Sequence, residues 1–115
     1  MHLEEEFKQL EKESAPVYKS GKVIPCESHK SKNRYKNIAP LQVNMTTLDG
    51  NGYNGPNYFN GNYILGKSGN VDFIATQGPL EKTVEDFWNV VMLNGVSSVV
   101  GREIYQNLFE FARFI

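Results

Sequence analysis

The sequence predicts an α/β chain, on three observations. Two short runs rich in β-branched residues, Val71-Asp72-Phe73-Ile74-Ala75 and Val96-Ser97-Ser98-Val99-Val100, read as strands. Between them, residues 84–93 carry apolar side chains at helical period, so that strand, helix and strand follow one another as a βαβ-like unit. A second amphipathic stretch opens the chain. With 115 residues there is room for one small domain or a piece of a larger one.

In residues 3–14, Leu3, Phe7 and Leu10 share one helical face, and Glu4, Glu5 and Glu6 lie where the macrodipole favours negative charge. Ala15-Pro16 is expected to end this helix. Three apolar residues on one face can only dock on something else. Residues 19–36 then carry Lys19, Lys22, Lys30, Lys32, Arg34 and Lys36 against one acid, Glu27, which reads either as a solvated loop or as an anion-facing surface.

Residues 50–62 are dominated by Asn and Gly, with Asn-Gly and Gly-Pro steps, and predict a long surface loop. Tyr63-Ile64-Leu65 is a short strand closed by Gly66, and Gln77-Gly78-Pro79 breaks the run at 71–75. Thr83 is the expected N-cap, with Asp86 three residues on close to a capping box. Phe87, Val91 and the pair Trp88/Met92 form the apolar face of the helix over 84–93, and Gly95 supplies its stop. In residues 103–115, Ile104, Leu108, Phe111 and Ile115 fall at helical spacing, with Tyr105, Phe109 and Ala112 beside them. That divides the chain into residues 1–102 and an apolar helical tail, 103–115.

Composition excludes several classes. With 40% hydrophobic and 22% charged residues the chain is globular rather than disordered. A net charge of −1 argues against nucleic acid or an anionic membrane as partner. A single cysteine, Cys26, forbids an intrachain disulfide, and with His2 and His29 it cannot complete a zinc site, so no metal or cofactor is expected. No apolar run approaches the roughly 20 residues of a membrane helix. The N-terminus is acidic where a signal peptide would be basic, so the expected location is the cytoplasm, where the sequon Asn44-Met45-Thr46 would stay unmodified.

Cys26 is the only thiol nucleophile available. A cysteine phosphatase needs Cys, five residues and Arg wrapped as a glycine-rich nest, whose N–H groups hold the phosphate while the Arg clamps it. Glu27-Ser28-His29-Lys30-Ser31-Lys32 contains no glycine, has Lys where Arg belongs, and puts a carboxylate beside the thiol. Cys26 therefore reads as a plain thiol, and His29, with no nucleophile or orienting acid near it, as a loop histidine.

Four stretches extend the reading. Lys32-Asn33-Arg34-Tyr35-Lys36-Asn37-Ile38-Ala39-Pro40 resembles the phosphotyrosine-recognition loop of protein tyrosine phosphatases. Asn57-Tyr58-Phe59-Asn60-Gly61-Asn62-Tyr63-Ile64 is similar to that family's Asp-Tyr-Ile-Asn-Ala-Asn-Tyr-Ile. Phe73-Ile74-Ala75-Thr76-Gln77-Gly78-Pro79-Leu80 matches the family motif throughout, and Thr83 with Asp86-Phe87-Trp88 matches the following helix. The matches keep the family's order and spacing over about residues 5–100. The Asn-rich, loosely conforming motifs are similar to the truncated phosphatase-like proteins of wasp-associated bracoviruses.

The resemblance implies a truncated tyrosine-phosphatase-like fold: N-terminal helix, partial twisted sheet, packed helix, and an apolar C-terminal helix. It implies a substrate-binding loop at Asn33, Arg34, Tyr35 and Asn37. Tyr35 would stack on the phenyl ring of phosphotyrosine and Asn37 would bond the substrate backbone. Thr76, Gln77, Gly78 and Pro79 would form a buttress without chemistry, and Phe87 and Trp88 would lie in the core. Three departures stand against full function. Leu41, Gln42 and Met45 occupy the places of an aromatic, an Asp and an Arg, and Asn57 replaces an Asp. The Trp-Pro-Asp loop with its general acid, the Cys/Arg phosphate loop and the later water-positioning glutamine have no counterpart. The expectation is a catalytically inactive phosphatase-like protein, without catalytic residues, that interferes with phosphotyrosine signalling, in the host-cell cytoplasm if viral. Its expected partners are phosphotyrosine proteins, or another chain through the sheet edge and C-terminal helix. The alternatives are the N-terminal fragment of an active phosphatase and a non-catalytic partner-binding module.

Overall fold

The computed structural model describes residues 2–19 and 22–101; the tail expected over 103–115 lies outside them. The first helix, α1, spans Leu3–Lys19 and carries the three glutamates in its first turn. It runs through Pro16 instead of ending there. Proline fixes φ near −65°, a helical value, so the helical backbone continues through it with one hydrogen bond fewer. Leu3, Phe7 and Leu10 are all exposed, so the apolar face of α1 has no cover among the described residues.

A clasp follows. Val23 and Leu41 form an antiparallel bridge, Ile24 N–H donates to the Pro40 carbonyl at 3.0 Å, and Gln42 N–H to the Lys22 carbonyl at 2.8 Å. The clasp closes a loop that contains a 3₁₀ segment, Cys26–Lys32.

The strands β1 (Gly61–Leu65) and β2 (Val71–Thr76) pair antiparallel, with Tyr63 opposite Ile74 and Ile64 opposite Phe73. Residues 44–46 run along the other edge of β1: Thr46 N–H donates to the Gly61 carbonyl and Tyr63 N–H to the Asn44 carbonyl, both at 2.9 Å. Met45, at the place where the resembled family carries an arginine, is buried there beside Ile24 and Tyr58.

The second helix, α2, spans Val84–Leu93, as its period predicts. Its cap differs from expectation. The Thr83 hydroxyl accepts from Leu80 N–H at 2.8 Å, which secures the preceding 3₁₀ turn, and Asp86 forms an ion pair with Lys32 at 3.2 Å instead of closing a capping box. The inward face also differs: Phe87 and Val90 are buried, Trp88 and Val91 are half-buried, and Met92 is 79% exposed. Gly95 (φ +61°) ends the helix in a Schellman motif, with Val96 N–H on the Val91 carbonyl and Gly95 N–H on that of Met92.

Residues 96–100 do not form the expected strand, so the βαβ-like reading gives way to a hairpin followed by a helix. A strand is held by its neighbours, and β1–β2 is the only sheet among the described residues. The α/β class holds, with a two-stranded sheet.

Two apolar clusters make the core. Ile24, Met45 and Tyr58 form one, with Tyr53 against it; Phe59, Phe87 and Val90 form the other, with Leu48, Ile74, Trp88 and Val91. Tyr58 and Phe59 are chain neighbours, so an extended dipeptide that points one ring each way joins the clusters. This corrects the reading of residues 50–62 as a surface loop: 57–61 are buried, and Tyr58 is fully so. Asn and Gly lower the mean hydropathy of such a stretch, but the side-chain amides of Asn57 and Asn60 are satisfied internally.

Candidate functional site

The site is built where three segments meet: residues 32–35 after the 3₁₀ segment, residues 58–60 before β1, and residues 76–79 after β2. Asn33 is buried, and its Oδ1 accepts from the Tyr58 hydroxyl at 2.5 Å and from Asn60 Nδ2 at 3.0 Å. Burial of the Tyr58 hydroxyl pushes its pKa up to about 12, the bond to Asn33 opposing part of the rise. Asn60 Nδ2 also approaches the Ile38 carbonyl and Gln77 Oε1, each at 3.1 Å, and Thr76 Oγ1 donates to the Asn60 carbonyl at 2.7 Å.

Gln77 ties this hub to the basic segment. Its Oε1 accepts from Arg34 N–H at 2.8 Å, and its Nε2 donates to the Lys32 carbonyl at 2.7 Å. The Arg34 guanidinium turns the same way: Nε donates to the Gly78 carbonyl at 2.8 Å and Nη2 to that of Pro79 at 2.7 Å. The side-on edge of the guanidinium, Nε with Nη2, is thereby committed to backbone carbonyls. With Lys32 paired to Asp86, the block at 19–36 loses two of its cations to internal contacts.

Six of the predicted residues therefore converge: Asn33, Arg34, Thr76, Gln77, Gly78 and Pro79. Tyr35 and Asn37 stand outside the network. Tyr35 is 56% exposed and Asn37 is exposed as well, so both face solvent on the turn after Arg34. Phe87 lies in the core and meets Trp88 edge to face, ring centroids 5.4 Å apart. Sequence reasoning gave no role to Asn60 beyond motif membership, or to the Lys32–Asp86 pair. Asn60 was detectable as an amide between two aromatic residues and a glycine, a polar group that burial obliges to find partners.

A second cluster surrounds His29. Its ring stacks on Tyr58, centroids 4.0 Å apart and nearly parallel, and a 2.7 Å hydrogen bond joins Nε2 to the Tyr53 hydroxyl. Burial lowers the His29 pKa, and the charge on Lys32 lowers it further. Below it, Asn57 acts as a staple: Nδ2 reaches Asp49 Oδ1 at 2.8 Å and the carbonyls of Asn51 and Gly52, while Oδ1 accepts from Asn54 N–H at 2.9 Å. Among the described residues no cluster of three or more His, Cys, Asp or Glu could hold a metal ion, and no helix is long and apolar enough to cross a membrane.

The family model described as protein-tyrosine phosphatase matches residues 29–103, which contain this whole site. The chain belongs to the protein-tyrosine phosphatase family. It is 34% identical over 96 residues to the chicken receptor-type tyrosine-protein phosphatase eta, covering 84% of this chain and 7% of that protein. It is 42% identical over 72 residues to the human tyrosine-protein phosphatase non-receptor type 18, covering 60% of this chain and 15% of that protein. The catalytic domain of that human phosphatase superposes with a TM-score of 0.64 at 34% identity, over 83% of this chain and 36% of the solved one. PTPN18 in complex with HER2 phosphopeptides superposes with the same TM-score at 32% identity, over 87% of this chain and 40% of that one. The chain thus spans well under half the length of the tyrosine phosphatases it matches, and its fold is a partial phosphatase domain.

Proposed function

We propose that this chain is a non-catalytic phosphatase-like module that meets phosphotyrosine proteins through the exposed Tyr35 and Asn37 turn and so interferes with phosphotyrosine signalling, in a host cytoplasm if its source is viral. The observation that carries the proposal is the orientation of Arg34 onto the Gly78 and Pro79 carbonyls, which leaves the recognition turn with an aromatic wall and no oriented phosphate clamp. Cys26 supports the same reading: its carbonyl is taken by Asn33, and the 3₁₀ segment it begins contains no glycine with which to wrap an anion. The phosphopeptide complex of PTPN18 supports phosphotyrosine peptides as the ligand class. A partner chain met through the open edge of β2 and residues 103–115 is a further route to the same interference.

The test is p-nitrophenyl phosphate hydrolysis by the purified chain, with Cys26→Ser as control, and titration with a phosphotyrosine peptide. The expected results are no turnover and weak, roughly millimolar binding that Tyr35→Ala removes. Turnover abolished by Cys26→Ser would overturn the proposal. A second reading, the N-terminal part of an active phosphatase, is favoured by the formed links among Asn33, Asn60 and Gln77, which would buttress a catalytic loop. Coding sequence downstream of Ile115 that carries a Cys-five residues-Arg loop would establish it.

A further inference from the structure

Four Asn-Gly steps occur in the chain: Asn51-Gly52, Asn54-Gly55, Asn60-Gly61 and Asn94-Gly95. An Asn-Gly step can cyclise. The glycine nitrogen attacks the asparagine Cγ, a C–N bond forms, the bond from Cγ to the side-chain amide nitrogen breaks, and ammonia leaves with the backbone proton. Water then opens the succinimide at either carbonyl, giving aspartate or isoaspartate. The reaction needs a glycine N–H without a partner, a side-chain amide free to rotate, and a peptide free to turn.

The fold treats the four steps differently. Asn60 is buried with its amide on Asn33, Ile38 and Gln77, and Gly61 N–H donates to the Phe59 carbonyl. The Asn94 amide donates to the Val90 carbonyl at 2.8 Å and its Oδ1 accepts from the Tyr63 hydroxyl, while Gly95 N–H donates to the Met92 carbonyl. At Asn51 the side chain is exposed, but the carbonyl of the reacting peptide is held by Thr47 Oγ1 and Asn57 Nδ2. At Asn54 the side chain is exposed and has no hydrogen bond among the described residues, nor has Gly55 N–H. Gly55 lies at φ +80° with open space around it.

We propose that Asn54-Gly55 is a site of spontaneous deamidation, selected from the four by the hydrogen bonds that hold the others. The product adds a carboxylate to a loop whose staple, Asn57, already holds Asp49. As isoaspartate it also lengthens the backbone one residue before the turn in which Tyr58 N–H donates to the Gly55 carbonyl at 3.1 Å. The step therefore acts on the loop that carries Tyr53 to His29.

The experiment incubates the full chain at mildly alkaline pH and maps each step by mass spectrometry, with enzymatic methylation to detect isoaspartate. A parallel sample is held in urea. In the folded chain Asn54 is expected to convert about a hundredfold faster than Asn60 or Asn94, because two or more hydrogen bonds must break at each of those. In urea the four rates should converge, and Asn54→Gln should remove the fast conversion from the folded chain. The proposal is overturned if Asn60 or Asn94 keeps pace with Asn54 in the folded chain, or if Asn51 converts first.

Discussion

A Cβ added to Gly61 would stand 2.9 Å from Cε1 of Phe59 and 3.2 Å from Cβ of Thr76. The family motif places Ile and Ala at these two positions, and this chain places Phe and Gly. The larger ring occupies the space that the missing methyl leaves, so the two departures are one packing solution.

It follows that Gly61→Ala alone should destabilise the chain by about 1–3 kcal/mol through overpacking. In Phe59→Ile/Gly61→Ala the contact with the ring is removed while the 3.2 Å approach to Thr76 Cβ stays, and the double variant should recover part of that loss. Urea denaturation of the full cycle measures the coupling, expected at about 0.5–3 kcal/mol. Additive single effects would show that the two positions are independent.

Asn33 and Tyr35 should separate cleanly although they are two residues apart. Asn33→Ala removes the acceptor of the buried Tyr58 hydroxyl and should cost about 1–3 kcal/mol. Tyr35→Ala removes an exposed ring and should stay within about 0.5 kcal/mol of the parent. Thermal denaturation of both variants checks the pair, and a large loss in Tyr35→Ala would place that ring in the core.

On α2 the same contrast tests the helix phase. Val90 is 3% exposed, and Val90→Ala should cost about 1–3 kcal/mol in transfer and cavity terms. Met92→Ala should change stability by no more than about 0.5 kcal/mol. Equal losses in chemical denaturation would mean that Met92 faces the core after all.

Acid should weaken the fold in two windows. His29 has its pKa lowered below 6.5, so the folded chain binds this proton less readily than the unfolded one. Its contribution is full above 6.5 and is lost as pH falls through the folded value. Asp49, lowered from 3.8 first by the Asn51 backbone N–H and then by Asn57, loses its contribution only at lower pH. The melting temperature should therefore begin to decline as pH falls below 6.5, and His29→Gln should flatten that segment alone.

Elements with strong local signals were legible before the structure. The bounds of α2 and its glycine stop follow from period and turn chemistry, and the strand runs at 63–65 and 71–75 fall inside the longer β1 and β2. The failures share a physical cause, which is dependence on partners distant in sequence. Residues 96–100 have strand composition and no neighbouring strand. Tyr58 to Asn60 sit in a polar-looking stretch whose amides are satisfied internally. Pro16 shows the converse, a local stop signal that a helix can absorb at the loss of one bond. At the site, the motifs located Asn33, Arg34 and Gln77, but nothing local told Arg34 to turn from solvent onto the carbonyls of Gly78 and Pro79.

Those Arg34 and Gln77 links span 43 to 45 residues, while β1 and β2 are joined by a turn in which Gly66 N–H donates to the Asn70 carbonyl. Loop closure costs more entropy for the wider span, so the hairpin is expected to assemble first and residues 32–34 to lock late. On a ribosome the order is stricter still, because the acceptors on Gly78 and Pro79 are made after Arg34. Residues 22–42 emerge from the exit tunnel with their lysines and their one thiol uncovered, and they wait there until Pro79 has followed.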